Sequence, residues 1–158
     1  MTAGRVTALN WGVKQSFRSY VEATGGTIAA GDGAERAADG GFTFALAPGG
    51  DLALDADGRP QGHAKFSGEV RFEAHGGMLS VRLADLELQF DPAGATLTVA
   101  DVGDRRAAIA QLDLAAMTIE AGEIVIPAAL SMDGIQLLGD HYPLRTPLDP
   151  VRLTLATS

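Results

Sequence analysis

The chain contains no cysteine among its 158 residues, which excludes disulfide bonds, thiolate metal sites and cysteine nucleophiles. Long apolar runs are also missing: no stretch reaches the roughly 18 consecutive apolar residues that a membrane-spanning helix needs. Positive charge is scarce, with 12 Lys and Arg against 20 Asp and Glu and a formal net charge of −8. Such a surface repels phosphate, so we expect no nucleic-acid partner and no docking to an anionic membrane through a basic patch.

The first five residues lack the apolar core of a secretory signal peptide. That fits either a cytosolic chain or the mature part of an exported one, and the sequence leaves both open. Hydrophobic residues make up 46% of the chain, which is enough for a packed core. We therefore expect one folded domain over residues 1–158.

The chain has the pattern of a mostly β protein, because its 20 glycines fall mainly between short apolar runs. The clearest strand covers residues 64–73, where apolar and polar side chains alternate. A turn at 74–77 and renewed alternation from Met78 complete a hairpin. Further short strands are predicted at 27–30, 42–46, 52–54, 95–102, 107–114, 118–120, 123–126 and 151–156. The spacing of the turns favours an antiparallel β-sandwich.

Two short helices interrupt this pattern. Residues 11–22 have apolar side chains at helical spacing, with Asn10 as the expected N-cap and the glycines after Thr24 as the stop. The second candidate covers residues 131–138, with Ser131 as its N-cap.

Three segments carry a resemblance to a known family. They are LNWGVKQSFRSYV at 9–21, FSGEVRFEAHGGML at 66–79, and a C-terminal pair formed by YP at 142–143 and LDPV at 148–151. Together they resemble the HtaA domain family, the haem-uptake domains of actinobacterial surface proteins. The resemblance spans roughly residues 8–156. One feature departs from it: the family often has an aromatic residue near the second helix, where this chain has Leu137 and Leu138.

The resemblance implies a function and a site. Family members bind ferric haem, here taken as haem b, and pass it toward a membrane transporter for iron acquisition. Their iron-ligating tyrosine matches Tyr20, and the histidine that hydrogen-bonds it matches His75. The implied fold is a β-sandwich whose two helices frame the haem. The implied location is extracellular or at the cell surface, with a haem-carrying host protein and a transporter's haem-binding protein as partners and a monomeric state.

The chemistry of these residue types agrees with that role. A phenolate is a hard anionic oxygen ligand and suits Fe(III) better than Fe(II). A free tyrosine has a pKa of about 10, so the metal must displace the proton, and a histidine N–H directed at the oxygen would stabilise the anion. Release of haem on reduction of the iron then becomes a hypothesis.

Haem also needs apolar walls and a polar edge for its propionates. Ser16 lies one turn before Tyr20 and is a candidate for the propionates, whereas Arg18 points to another side of the helix. Tyr142 is a candidate for the pocket wall, and His141 for the haem edge. Candidates for the apolar walls are Val13, Phe17, Val21, Met78, Leu137 and Leu138.

Plainer interpretations stay open at this point. Without the resemblance, Tyr20 is a boundary residue of an amphipathic helix and His75 a solvated turn residue. The main alternative function is therefore a cofactor-free β-sandwich for adhesion or interaction. A haem-dependent peroxidase would need a distal histidine or arginine, for which His141 is the one candidate, so we expect no enzyme.

Overall fold

The computed structural model describes residues 5–55, 59–91, 94–100, 105–120, 122–138 and 142–156. The strands are β1 (Arg5–Trp11), β2 (Thr27–Gly31), β3 (Ala34–Arg36), β4 (Phe42–Ala47), β5 (Ala53–Leu54), β6 (Pro60–Ser67), β7 (Glu69–Ala74), β8 (Leu79–Ala84), β9 (Glu87–Asp91), β10 (Gly94–Ala100), β11 (Arg106–Leu112), β12 (Thr118–Glu120), β13 (Glu123–Leu130) and β14 (Pro147–Ala156). The helices are α1 (Gln15–Ala23) and α2 (Met132–Leu137), and short 3-10 turns lie at His75–Gly77 and Leu114–Ala116. The prediction of a mostly β chain with two short helices is confirmed.

Eight strands of the described residues close into a ring in the order β4, β1, β14, β13, β11, β10, β9, β6. Every neighbouring pair is antiparallel, and the ring closes where residues 45–47 of β4 pair with residues 65–67 of β6. The antiparallel arrangement follows the prediction. Closure makes the large sheet barrel-like rather than one open layer of a simple sandwich.

The interior of the ring is filled by alternate side chains of its strands. Leu88, Leu97, Ile109, Ile126 and Leu153 come from five different strands, and all are fully buried. This is the period of two expected where one face of each strand points inward.

A second, three-stranded sheet in the order β2-β7-β8 leaves the ring between β6 and β9. The sequence predicted one continuous strand over 64–73, and that prediction is wrong. The alternation continues unbroken, but Gly68 has a φ of +134° and separates β6 in the ring from β7 in the small sheet. A Cβ on Gly68 would lie 2.5 Å from the Cβ of Ala34 and 2.7 Å from its backbone nitrogen. Glycine is therefore required at the point where the chain changes sheets.

The start of α1 also differs from the prediction of a helix over 11–22. Residues 5–11 form β1, and the side chain of Asn10 bonds across the sheet to Thr154 (2.7 Å) and Thr43 (2.8 Å) instead of capping a helix. Leu9 and Trp11 are buried on the opposite face, which is a strand period. The helix begins only at Gln15, after Val13 has turned the chain with a φ of +65°.

Both helices and the small sheet emerge from one end of the ring. The register pairs Trp11 at the end of β1 with Phe42 at the start of β4, and Ala129 near the end of β13 with Pro147 at the start of β14. The end of β6 lies at the same end, because β6 is antiparallel to β4. The chain therefore enters α1, β7 and α2 from neighbouring points. Neither helix in the described parts of the chain is long and apolar enough to cross a membrane.

We expect Gly68→Ala to lower the free energy of unfolding by at least about 3 kcal/mol, because strain at positive φ adds to the clash with Ala34. Denaturant unfolding measures this. Gly122→Ala is the matched control, since Gly122 has a φ of +82° but nothing within 4 Å of its added Cβ. That control should cost only about 1 kcal/mol. Equal losses in the two variants would contradict the role given to the Ala34 contact.

Candidate functional site

The structure brings Tyr20 of α1 and His75 into direct contact. The Tyr20 hydroxyl oxygen lies 2.7 Å from Nε2 of His75, and the two ring centroids are 5.8 Å apart. Both residues are exposed, with 38% of Tyr20 accessible. The pair thus lies at the surface of the protein.

Tyr20 is positioned by the way α1 ends. Gly25 adopts a φ of +79° and its N–H donates to Glu22, while the N–H of Gly26 donates to the carbonyl of Val21 at 2.8 Å. These two bonds form a Schellman motif, which terminates the helix at Thr24 as the sequence predicted. The chain passes directly into β2, whose Thr27 pairs with Glu73 of β7. The last turn of α1 is therefore held beside the residues that lead to His75.

His75 is positioned by a turn with an unusual backbone. Its φ is +56°, and the next two residues, Gly76 and Gly77, have φ of +66° and +95°. A non-glycine residue in this region is uncommon and persists where its surroundings fix it. The two glycines let the chain reverse between β7 and β8 while the imidazole faces α1.

The other predicted site residues occupy different environments. Ser16 is exposed on α1, one turn before Tyr20. Phe17 is fully buried, and its ring centroid lies 5.0 Å from that of Phe72, two strand residues before Ala74. Tyr142 is half-buried and packs edge-on against Phe17 at 6.3 Å. Phe17 thus connects α1 with Phe72 of β7 and with Tyr142. Its predicted contact with the ligand stays a prediction.

The residues predicted as apolar walls differ in their exposure. Val13, Phe17, Val21 and Leu138 are fully buried in the core, and Leu137 is half-buried at the end of α2. Met78 is 91% exposed in the same turn as His75, which leaves its thioether free to cover a ligand face. Helix α2 packs on β11, so its predicted framing of the ligand stays a prediction. His141 lies outside the described residues.

Sequence reasoning missed the pair that holds the start of α1. Nη1 of Arg18 lies 2.7 Å from Oδ2 of Asp149 on β14 and donates to the carbonyl of Gly12 at 2.6 Å. Arg18 is only 8% exposed, so most of this cation is withdrawn from water. Although both residues lie in the motifs quoted above, they are 131 positions apart, and no local pattern indicates that they pair.

Gly12, Arg18 and Asp149 line a cleft, and a second carboxylate, that of Asp39, lines it too. Asp39 accepts a hydrogen bond from the N–H of Gly41 and one from Arg152 at 2.6 Å. The Gly41 bond, followed by the Arg152 contact, lowers the pKa of Asp39 below its usual value, although partial burial opposes the shift. Asp39 therefore bonds to β14 through Arg152, and it acts on Arg18 of α1 through its charge alone.

The chemical capacity of the site follows from its two central groups. A phenol and an imidazole in hydrogen-bond contact share one proton, and the imidazole donates through Nε2–H whenever the phenol is ionised. The oxygen then becomes an anionic ligand for a hard metal ion, stabilised by its neighbour.

Comparison with known proteins agrees with the sequence resemblance. The family model described as Htaa matches residues 6–154. The C-terminal domain of HtaA from Corynebacterium glutamicum is 28% identical, covers 98% of this chain and 100% of its own, and gives a TM-score of 0.73. The N-terminal domain of the same protein is 25% identical, with 99% and 100% coverage and a TM-score of 0.76.

A third solved structure, the heme binding protein HtaB from Corynebacterium glutamicum, has the same fold. It is 21% identical and covers 100% of this chain and 98% of its own, with a TM-score of 0.70. No curated protein matches the chain in sequence.

The left-handed backbone of His75 predicts a difference between two substitutions. Asparagine tolerates this conformation whereas valine does not, so we expect His75→Val to be less stable than His75→Asn by about 1–2 kcal/mol. Both variants lose the bond to Tyr20, so the comparison isolates the backbone. Chemical denaturation checks this, and equal midpoints would show that the turn relaxes.

Proposed function

This chain belongs to the HtaA family, and from that membership we propose that it binds ferric haem as a cargo, with Tyr20 as the iron ligand. The observation that carries the proposal is the 2.7 Å contact between the Tyr20 hydroxyl and His75 Nε2. A surface tyrosine without a partner is a weak ligand at neutral pH, because its proton is lost only near a pKa of about 10. An imidazole that donates to the oxygen favours the anion that Fe(III) requires.

The surroundings of the pair suit the rest of a haem. Met78 offers exposed apolar surface beside His75, and the Ser16 hydroxyl lies one turn along α1, where a propionate can accept from it. Phe17 and Tyr142 provide an aromatic base under this surface. Because the chain has no cysteine, it has no thioether attachment point, which favours haem b held by coordination and packing.

The proposed role is capture and relay rather than turnover. Both members of the pair are exposed, so the iron ligand is open to a donor and to an acceptor. The partners we propose are a haem-carrying host protein as donor and a transporter's haem-binding protein as acceptor. We further propose that the domain acts as a monomer, outside the cell or on its surface.

A haemin titration followed by absorbance tests the function and the ligand together. We expect saturable one-to-one binding with a tyrosinate-type ferric spectrum in the unaltered protein. Tyr20→Phe keeps the ring and removes only the oxygen, so it should lose that spectrum and weaken binding by at least about tenfold, or ~1.4 kcal/mol. His75→Asn keeps the turn and should retain the tyrosinate spectrum with weaker binding.

The remaining outcomes of the titration decide between alternatives. Binding that survives unchanged in Tyr20→Phe would assign the iron to another residue. A protein that shows no saturable binding would instead be a cofactor-free adhesion or interaction domain.

Reduction of the iron should promote release, because Fe(II) holds a phenolate less tightly than Fe(III). We expect the transfer of haem to excess apomyoglobin to be faster under a reductant than under air. Tyr20→Phe is the control, since without the phenolate the two rates should converge. Equal ferrous and ferric affinities in the unaltered protein would contradict this release mechanism.

A further inference from the structure

Helix α1 lacks an N-cap of its own. The residue at the cap position is Lys14, whose side chain makes no capping hydrogen bond. The helix has only nine residues, a length at which an isolated helix is marginal. Its first N–H group, on Gln15, donates instead to Oδ1 of Asp149 at 3.1 Å. A residue of β14 thus supplies the capping carboxylate, and its negative charge lies at the favourable end of the helix dipole.

Asp149 is itself held by hydrogen bonds of its backbone and by an ion pair of its side chain. Its N–H donates to the carbonyl of Val13 at 2.9 Å, and its carbonyl accepts from Nε1 of Trp11 at 2.8 Å. Oδ2 pairs with Arg18, one turn into the helix. Its strand, β14, is paired on both sides, with β1 and β13. The carboxylate therefore links two points of α1 to the ring.

Gly12 leaves the space in which this link forms. A Cβ on Gly12 would collide with Nη1 of Arg18 and with Oδ2 of Asp149. Its φ does not lie in the left-handed region, so the absence of a side chain, rather than backbone freedom, is what the site uses. Any larger residue would separate the pair and leave a buried cation without its partner, which is strongly unfavourable.

We propose that Asp149 is a positioning residue for Tyr20, because its carboxylate fixes the start of α1 and so holds the Tyr20 hydroxyl within reach of His75. This role rests on the proposed function of Tyr20 as a ligand. Tyr20 follows Gln15 by five residues, about 7.5 Å along the helix, so a tilt at the start of α1 displaces the phenol. A hydrogen bond of 2.7 Å is lost once its atoms separate to about 3.5 Å.

The first test needs no haem. The 15N chemical shift of Nε2 in His75 reports its bond to Tyr20, and Tyr20→Phe gives the value without that bond. In Asp149→Ala we expect the shift to move most of the way to the Tyr20→Phe value. Gly12→Ala should produce the same change by opening the pair from the other side. Asp149→Asn keeps an oxygen for the Gln15 N–H and should restore part of the unaltered shift.

Two control variants separate positioning from loss of stability. Asp39→Ala removes a neighbouring carboxylate that hydrogen-bonds Arg152 and reaches Arg18 through charge alone, without a hydrogen bond to α1. It should leave the His75 shift unchanged. Ile126→Ala opens a cavity in the ring, because Ile126 is fully buried on β13. At a matched loss of stability it should also leave the shift unchanged. A shift that moves as far in Ile126→Ala as in Asp149→Ala would reduce Asp149 to a structural residue and overturn the proposal.

The second test uses the haem-loaded protein. Transfer of ferric haem to apomyoglobin should be about tenfold faster from Asp149→Ala than from the unaltered protein. A folded Asp149→Ala with the unaltered shift and transfer rate would overturn the proposal. If Asp149→Ala does not fold, Gly12→Ala and Asp149→Asn decide in the same way. If the unaltered protein binds no haem, the proposed function fails, and the His75 shift still decides the positioning role.

Discussion

The short ladder between β4 and β6 is the constraint on which the rest of the molecule depends. It joins the two ends of an otherwise open antiparallel sheet, so that the backbone groups of eight strands are paired in a ring. Closure forces alternate side chains of every strand into one interior. It also means that any element outside the ring must leave from one of its two ends. At one end the chain leaves to form α1, the small sheet and α2.

The candidate site is a product of that arrangement. Tyr20 and His75 are 55 positions apart, yet each lies on an element that leaves the same end of the ring. The nine-residue helix is too short to fix a side chain alone. It is held at its start by Asp149, along its length by Phe17 against Phe72, and at its end by the Schellman motif that leads into β2. Each of these contacts uses a different kind of interaction, which confines the helix in several directions.

The sequence predicted the features that depend on local pattern. Alternation identified most strands, and Thr24 with its glycines identified the end of α1, because turn chemistry and strand period are local properties. The break between β6 and β7 at Gly68 is not predicted, because the alternation continues through it. The close approach of Ala34 to Gly68 is a contact that only the structure shows. Local pattern predicts Asn10 as a helix cap, because its actual partners, Thr43 and Thr154, are distant in the chain.

The candidate site was predicted in a different way. Tyr20 and His75 came from resemblance to a family rather than from periodicity, since a tyrosine on a helix and a histidine in a turn are ordinary residues. The comparisons confirm the family, and the structure places the two side chains in contact. The pairing of Arg18 with Asp149 could not be foreseen, because one sequence contains no record of which distant residues meet.

The position of the small sheet and α1 outside the ring has a further consequence for how the molecule opens. The eight ring strands pair with one another without them, so the structure divides into a closed unit and an attached one. Contacts such as that between Phe42 and Phe72 join the two, but no ladder of the ring has to break for them to part. We therefore expect separation of the attached unit, which also breaks the contacts of Asp149 with α1, to require less free energy than global unfolding. Amide hydrogens of α1 and β2 should exchange with solvent through this partial opening, whereas those of the ring strands should exchange only through global unfolding.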